Sequence, residues 1–214
     1  DYYDDFNLAK VLYSDWKESA VVDAGYQGEG FGRDELTTKV YSIGDTGPAG
    51  GLVFYDKGFY SDGWRYLEAA LSDIMDGGSG SCYYGFGYYR PESTNLTVGT
   101  ACAIGSGKYN TENLKKYMDI NGKAYSNSSG EAVGEYAARK CLDYSHGEHD
   151  DWFLPSKDEL NLMYENLHKQ GLGSFADSYY WSSSESSADG AWGQDFGDGR
   201  QHYYPVRYLE SRVR

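Results

Sequence analysis

The last third of the chain, residues 151–214, constrains the fold more than any other stretch, because a helix start and a switch of hydrophobic period follow one another within it. Ser156 and Glu159 stand three residues apart, the spacing of a capping box, in which a hydroxyl and a carboxylate satisfy the orphaned backbone donors of a helix start. Leu160, Met163, Tyr164 and Leu167 then recur at helical spacing and Gly171 supplies a stop. After Trp181 the period becomes two. Trp192, Gln194 and Phe196 alternate with Gly193, Asp195 and Gly197, which reads as a strand with its large side chains on one face. Asp198-Gly199 is a tight-turn signal, since such turns need positive φ, and a second strand is expected to return near Gln201. The run His202-Tyr203-Tyr204-Pro205-Val206-Arg207-Tyr208 mixes aromatic, charged and rigid side chains without an apolar period, so it is expected to face solvent.

Several motifs along the chain occur in one order: Gly44-Asp45-Thr46-Gly47-Pro48, Gly50-Gly51-Leu52-Val53-Phe54-Tyr55, Gly63-Trp64-Arg65-Tyr66-Leu67-Glu68-Ala69-Ala70, Ile104-Gly105-x-Gly107-Lys108, the run Asp151 to Leu160, the Tyr180-Trp181-Ser182-Ser183-Ser184 turn, Ala191-Trp192 with Gln194-x-Phe196, and Arg212-Val213-Arg214. Together they resemble a bacterial surface-protein family with the C-type lectin fold. That family includes the C-terminal domains of collagen-like adhesins and the variable proteins of diversity-generating retroelements, and its fold is similar to that of the formylglycine-generating enzyme. The resemblance covers roughly residues 39–214. It implies an α+β fold of short twisted antiparallel strands, two to three helices and long loops, preceded by an N-terminal helix and linker over 1–38, with a C-terminal display region over 186–208. Location at the cell surface or outside the cell is likewise an implication of the resemblance, any lipid anchor lying outside the given sequence.

The length of 214 residues suits one domain with a small appendage. No run approaches the ~20 apolar residues of a membrane-spanning helix. A net charge of −14 argues against nucleic-acid partners, which repel an acidic protein at long range. The excess lies before residue 188: beyond it Asp189, Asp195, Asp198 and Glu210 balance Arg200, Arg207, Arg212 and Arg214. Cys82, Cys102 and Cys141 lack C-x-x-C spacing, leaving open one disulfide plus a thiol or three thiols. The enzyme that the fold resembles works through a Cys pair near its C-terminus. No Cys follows Cys141, so no enzymatic activity of that kind is expected.

The chain opens on Asp1 with no basic-then-apolar leader, which reads as a processed or trimmed chain. Leu8, Val11, Leu12 and Trp16 predict a short bracing helix capped by Asp4 or Asp5. Residues 20–38, Gly-rich and nonperiodic, read as a linker or an ordered loop. Leu52 to Tyr55 and Trp64 to Ala69 predict paired strands with a turn at Asp56-Lys57-Gly58. The Gly-, Ser- and Tyr-rich segment between Ser72 and Gly107 reads as a long loop, either functional or packed on the surface. Thr111 is expected to cap a helix carrying Leu114, Tyr117 and Met118, and Ser128 or Ser129 a second one carrying Val133, Tyr136, Ala137 and Cys141. Trp152 and Trp181 are expected in the core.

Other patterns have plain readings. Gly105-Ser106-Gly107-Lys108 is not a phosphate loop, which requires Gly where Cys102 stands and Ser or Thr where Tyr109 stands. His146, Glu148, His149 and Asp150 read as a solvated turn rather than a metal site. The turns bearing Asp143, Asp189, Asp195 and Asp198 offer oxygen ligands for Ca²⁺ but lack the ligand spacing of a calcium loop, so no cofactor is expected. Asn95-Leu96-Thr97 and Asn127-Ser128-Ser129 are glycosylation sequons that mean little if the host is bacterial, as the resemblance implies.

The usage of 23 Tyr against 8 Phe favours a residue that gives wide contact area, a polar tip and little rotamer entropy, as binding loops do. Taken with the resemblance, which implies a surface location, this points to a non-enzymatic ligand-binding surface protein. In retroelement targets of the family it resembles, variable positions arise from adenine-targeted codons of Asn type, which never yield Trp, Gln, Glu, Lys or Met. Matched residue by residue, the ligand-binding candidates are Asp189, Gly190, Gly193, Asp195, Gly197, Asp198, Arg200, His202, Tyr203, Tyr204, Pro205, Val206, Arg207 and Tyr208. Trp192, Gln194, Phe196, Gly199 and Gln201 would be the invariant frame between them. The partner would be a protein or glycan on another cell or host. The alternative is an adhesin of fixed specificity for host glycans, in which Arg200, His202, Arg207 and the closing arginines would have to supply any basic patch for glycosaminoglycans. A formylglycine-forming enzyme is the remote third reading.

Overall fold

The computed structural model describes residues 39–75, 82–87, 97–121, 136–204 and 210–214. The N-terminal helix and linker over 1–38, Ser128 and Ser129 as caps, and the sequons' Asn95 and Asn127 lie outside the described residues.

Strands β1 (Leu52–Ser61) and β2 (Trp64–Ala69) form an antiparallel hairpin. The turn falls at Asp62-Gly63, whose φ angles of 53° and 83° are those a tight hairpin turn demands. The expected turn at Asp56-Lys57-Gly58 is instead a register irregularity inside β1, with Gly58 at φ 88°. Asp-Gly and Lys-Gly both favour left-handed backbone, and pairing of the two strands decides which one reverses the chain. Beyond the hairpin come β3 (Tyr83–Gly85), helices α1 (Gly107–Asn121), α2 (Ala137–Leu142) and α3 (Lys157–Asn166), and a 3₁₀ turn over His168–Gln170. Strands β4 (Tyr179–Ser187), β5 (Gly190–Asp195), β6 (Gln201–Tyr204) and β7 (Glu210–Arg212) complete the chain. The second sheet has the order β3-β7-β4-β5-β6, antiparallel except where Tyr180 of β4 meets Arg212 of β7. The fold is α+β.

Strand alternation sends Tyr180 and Trp181 to opposite faces of this sheet, and each anchors a separate apolar cluster. Trp181, 1% exposed, packs with Phe86, Leu114, Met118, Tyr136, Cys141 and Leu154 under α1 and α2, and its indole N–H donates to Tyr84 O at 2.8 Å. Tyr180 packs with Phe54, Leu160, Met163, Leu167 and Phe196 under α3 and the β1–β2 hairpin. The stretch expected to turn at Tyr180–Ser184 is therefore strand. Its serines are buried, with Ser182 Oγ donating to Trp192 O and Ser184 Oγ to Ala101 O. Trp152 departs from its expected core position: it is half-buried, edge-on to Tyr144 at 5.6 Å.

The capping box is present at α3. Ser156 Oγ accepts from Glu159 N, and Glu159 accepts from Ser156 N at 2.7 Å. The Glu159 side chain does more than spacing alone implies, because its other oxygen accepts from Gly105 N at 2.7 Å and the carboxylate also meets Gly107 N. A Cβ on Gly107 would collide with that carboxylate, and Gly105 has φ 89°. The Gly-x-Gly-Lys motif thus cradles an internal carboxylate at the start of α1. Burial pushes the Glu159 carboxyl above its ordinary range, against the pull of these donors. Helix α1 starts at Gly107, a turn earlier than expected. Thr111 is inside it, donating to Gly107 O and accepting from Leu154 N at 3.1 Å, so it ties α1 to the segment before α3 instead of capping.

All three cysteines are thiols. Cys141 lies in the apolar cluster, where burial raises its pKa and makes it a poor nucleophile. No helix among the described residues is long and apolar enough to cross a membrane.

Candidate functional site

The β5–β6 hairpin is held from below by amides. Gln194 Nε2 donates to Asn161 Oδ1 of α3 at 2.9 Å and to Gly199 O at 3.0 Å, and Gln201 Nε2 donates to Lys157 O at 2.9 Å. Phe196 lies in the apolar cluster 4.5 Å from the Tyr180 ring. Between the strands the chain turns through Phe196–Gly199, with Asp195 N donating to Arg200 O and Gly199 N to Asp195 O. Here the two-residue Asp-Gly turn is corrected to a longer loop: Asp198 is not in the left-handed region and only Gly199, at φ 79°, is. A Cβ on Gly199 would also stand 2.5 Å from the Tyr164 ring. The carboxylates of Asp195 and Asp198 accept from Gly197 N and Arg200 N, so the loop is ordered by its own side chains. Gln194, Phe196, Gly199 and Gln201 are thus anchored as a frame.

Of the candidate residues, Asp189, Gly197, Asp198, Arg200, His202 and Tyr203 are exposed, Tyr203 to 64%. Asp189 sits in the β4–β5 turn, at the opposite end of β5 from Asp198. Gly190 and Gly193 require correction as display positions. Both are buried, and a Cβ would come within 2.5 Å of Tyr204 O in one case and 2.9 Å of Tyr180 O in the other, so they serve close strand approach. Tyr204 is also corrected: its ring packs edge-on to Trp181 at 5.2 Å and its hydroxyl is buried, because β6 is register-locked with Tyr204 opposite Ala191. Pro205, Val206, Arg207 and Tyr208 lie outside the described residues.

The sheet separates the rest by alternation. Tyr203 shares a face with Trp192, at a ring distance of 6.3 Å, and Lys157 Nζ covers the Trp192 ring at 3.8 Å. His202 shares the other face with Tyr179 and Tyr204, the three rings 5.7–6.5 Å apart. Tyr179, 43% exposed, is paired opposite Asp195, whose nearby carboxylate, together with the Asp198 charge, pushes the phenol pKa up. Sequence reasoning missed Tyr179, Trp192 and Lys157 as surface groups. The signal for Tyr179 was present in the period of two, which places it on the face of Trp181, beyond the end of the core.

No protein-family model matches the chain, and no curated protein matches it. Chemistry at this site rests on its own geometry. Rings for stacking, two carboxylates and one guanidinium suit recognition of a ligand. Among the described residues no three His, Cys, Asp or Glu side chains converge as a metal site, and His146 and His149 face each other across an exposed bridge. The closing arginines are not available to polyanions. Arg214 is 6% exposed and donates to the carbonyls of Ala70, Leu71 and Gly173, while Arg212 pairs with Asp73.

Proposed function

We propose that the protein is a non-enzymatic ligand-binding protein of the cell surface, on a C-type lectin scaffold whose β4–β6 strands display the binding site. One observation carries this reading: exposed rings and charges on β6 and its loop alternate with anchored amides and an anchored Phe, so the exposed set can vary while the frame stays. Frame residues Trp192, Gln194 and Gln201 are of types that Asn-type codon diversification never produces, which supports variation by a retroelement. The reading loses the closing arginines for sulfated glycans, leaving Arg200, His202 and Arg207 as the cations of that alternative.

Two experiments test it. Sequencing around the gene should find a near-identical copy of the segment that differs at adenines, beside a reverse transcriptase; a lone, uncopied segment would leave a fixed-specificity adhesin. Ligand capture on arrays of extracellular proteins and of glycans, with and without calcium, should be lost on replacing Tyr179, His202 and Tyr203 together by Ser. The melting temperature should barely move, since exposed positions change stability by roughly 0.5 kcal/mol or less each. Phe196→Ser should do the reverse and unfold the domain. Retention of capture by the triple variant would place binding elsewhere.

A further inference from the structure

Several half-buried rings elsewhere on this chain are covered by its own cations. Lys57 Nζ lies 3.9 Å above Trp64, Lys157 Nζ 3.8 Å above Trp192, and the guanidinium of Arg65 5.0 Å from Tyr66. The face formed by Tyr179, His202 and Tyr204 is different. Among the described residues no Lys or Arg lies over Tyr179 or His202, and none pairs with Asp195, whose carboxylate sits at the rim of that face. Asp198 adds a second carboxylate, and its own partner Arg200 is 3.5 Å away with a side chain 75% exposed. The fields of both carboxylates reach the two phenols, raising the pKa of Tyr179 and contributing to that of Tyr204. Ring faces carry negative quadrupole potential, so rings and carboxylates here attract the same sign of ligand.

We propose that this face, resting on the display reading above, receives arginine or lysine side chains of a protein partner: a cation seats on the Tyr179 ring and pairs with Asp195, completing the stacking that the chain supplies for itself at Trp64 and Trp192. Charge complementarity sets the occupant. An anionic glycan would meet the Asp195 carboxylate, which no described cation neutralises, and a neutral ligand would leave it without a counter-charge.

The test uses the full chain and a fluorescently labelled, end-blocked peptide of alternating glycine and arginine, with a glycine–glutamate peptide as its opposite, read by anisotropy. Asp195→Asn keeps the oxygen that accepts from Gly197 N and removes only the charge. Asp62→Asn, at the exposed β1–β2 turn, removes the same charge far from the face and tolerates the φ of 53°. The arginine peptide should bind; Asp195→Asn and, separately, Tyr179→Ser should each weaken it about tenfold or more, and Asp62→Asn by less than about twofold. Equal weakening by Asp195→Asn and Asp62→Asn would reduce the effect to net charge and overturn the proposal, as would absence of arginine-peptide binding. If the glutamate peptide binds instead and Tyr179→Ser abolishes it, the cation assignment is overturned while the display reading survives. Should Asp195→Asn melt early, the folded Tyr179→Ser variant decides.

Discussion

Replacing Glu159 by Gln probes the point where the starts of α1 and α3 meet on one side chain. The carboxylate accepts from Ser156 N and Gly105 N at 2.7 Å each and lies near Gly107 N, in a site with no solvent exposure. In the amide one oxygen becomes a donor, so whichever way it is oriented at least one backbone N–H faces another donor. An orphaned buried donor costs about 1–3 kcal/mol, and the surviving bonds lose their charge assistance. Relief from burying a carboxylate offsets part of this. The net expectation is a loss of about 2–4 kcal/mol, clearly above the ~1 kcal/mol expected for Ser156→Ala, which removes a single cap bond. The dependence on pH adds a sign. Burial raises the Glu159 pKa in the folded chain, so over the window above the ordinary carboxylate range the folded state holds more protons than the unfolded one, and its contribution to stability falls as pH rises. The Glu159→Gln variant, with no proton to exchange at this site, lacks that slope. Urea denaturation of both proteins between about pH 4 and about pH 8 should therefore show the gap between them narrowing as pH rises. A gap that widens, or a loss smaller than that of Ser156→Ala, would refute the reasoning by showing that the N–H donors outweigh burial or that the segments are held by other contacts.

Trp181→Ala should cost about 3–5 kcal/mol by urea melts and half-buried Trp152→Ala clearly less; equal losses would mean that the apolar cluster beneath β4 is not where the stability lies. Gly199→Ala should lose about 2 kcal/mol from left-handed strain and from the Tyr164 ring, and ligand capture should fall with it; an unchanged melting temperature would show that the loop adapts freely. Below the ordinary carboxylate range, stability should drop as Asp56 and Asp119 take up protons, because hydrogen bonds from Arg65 and from Lys115 hold both below their usual pKa. The double Asn variant should flatten that acid limb modestly, the groups being partly exposed, and an unaltered limb would refute the assignment.

What the sequence determined by itself was local. Ser156 and Glu159 meet because three residues make one helical turn, and Gln194 and Phe196 share a role because a strand repeats every two. Helix α3, the Gly171 stop and the return near Gln201 are legible for that reason. Everything that depended on which segments meet was left to the tertiary structure. Spacing cannot reveal that Glu159 also serves Gly105, 54 residues away, or that Arg212 and Arg214 close onto Asp73 and the carbonyls of Ala70 and Leu71. The display surface was divided by the same limit. Composition marks His202, Tyr203 and Tyr204 as one aromatic run, but the register of β6 on β5 sends Tyr203 beside Trp192 and turns Tyr204 onto Trp181. A shift of one residue would exchange the two faces, and only long-range strand pairing, fixed by Gln194, Gln201 and the glycines beneath them, sets that register.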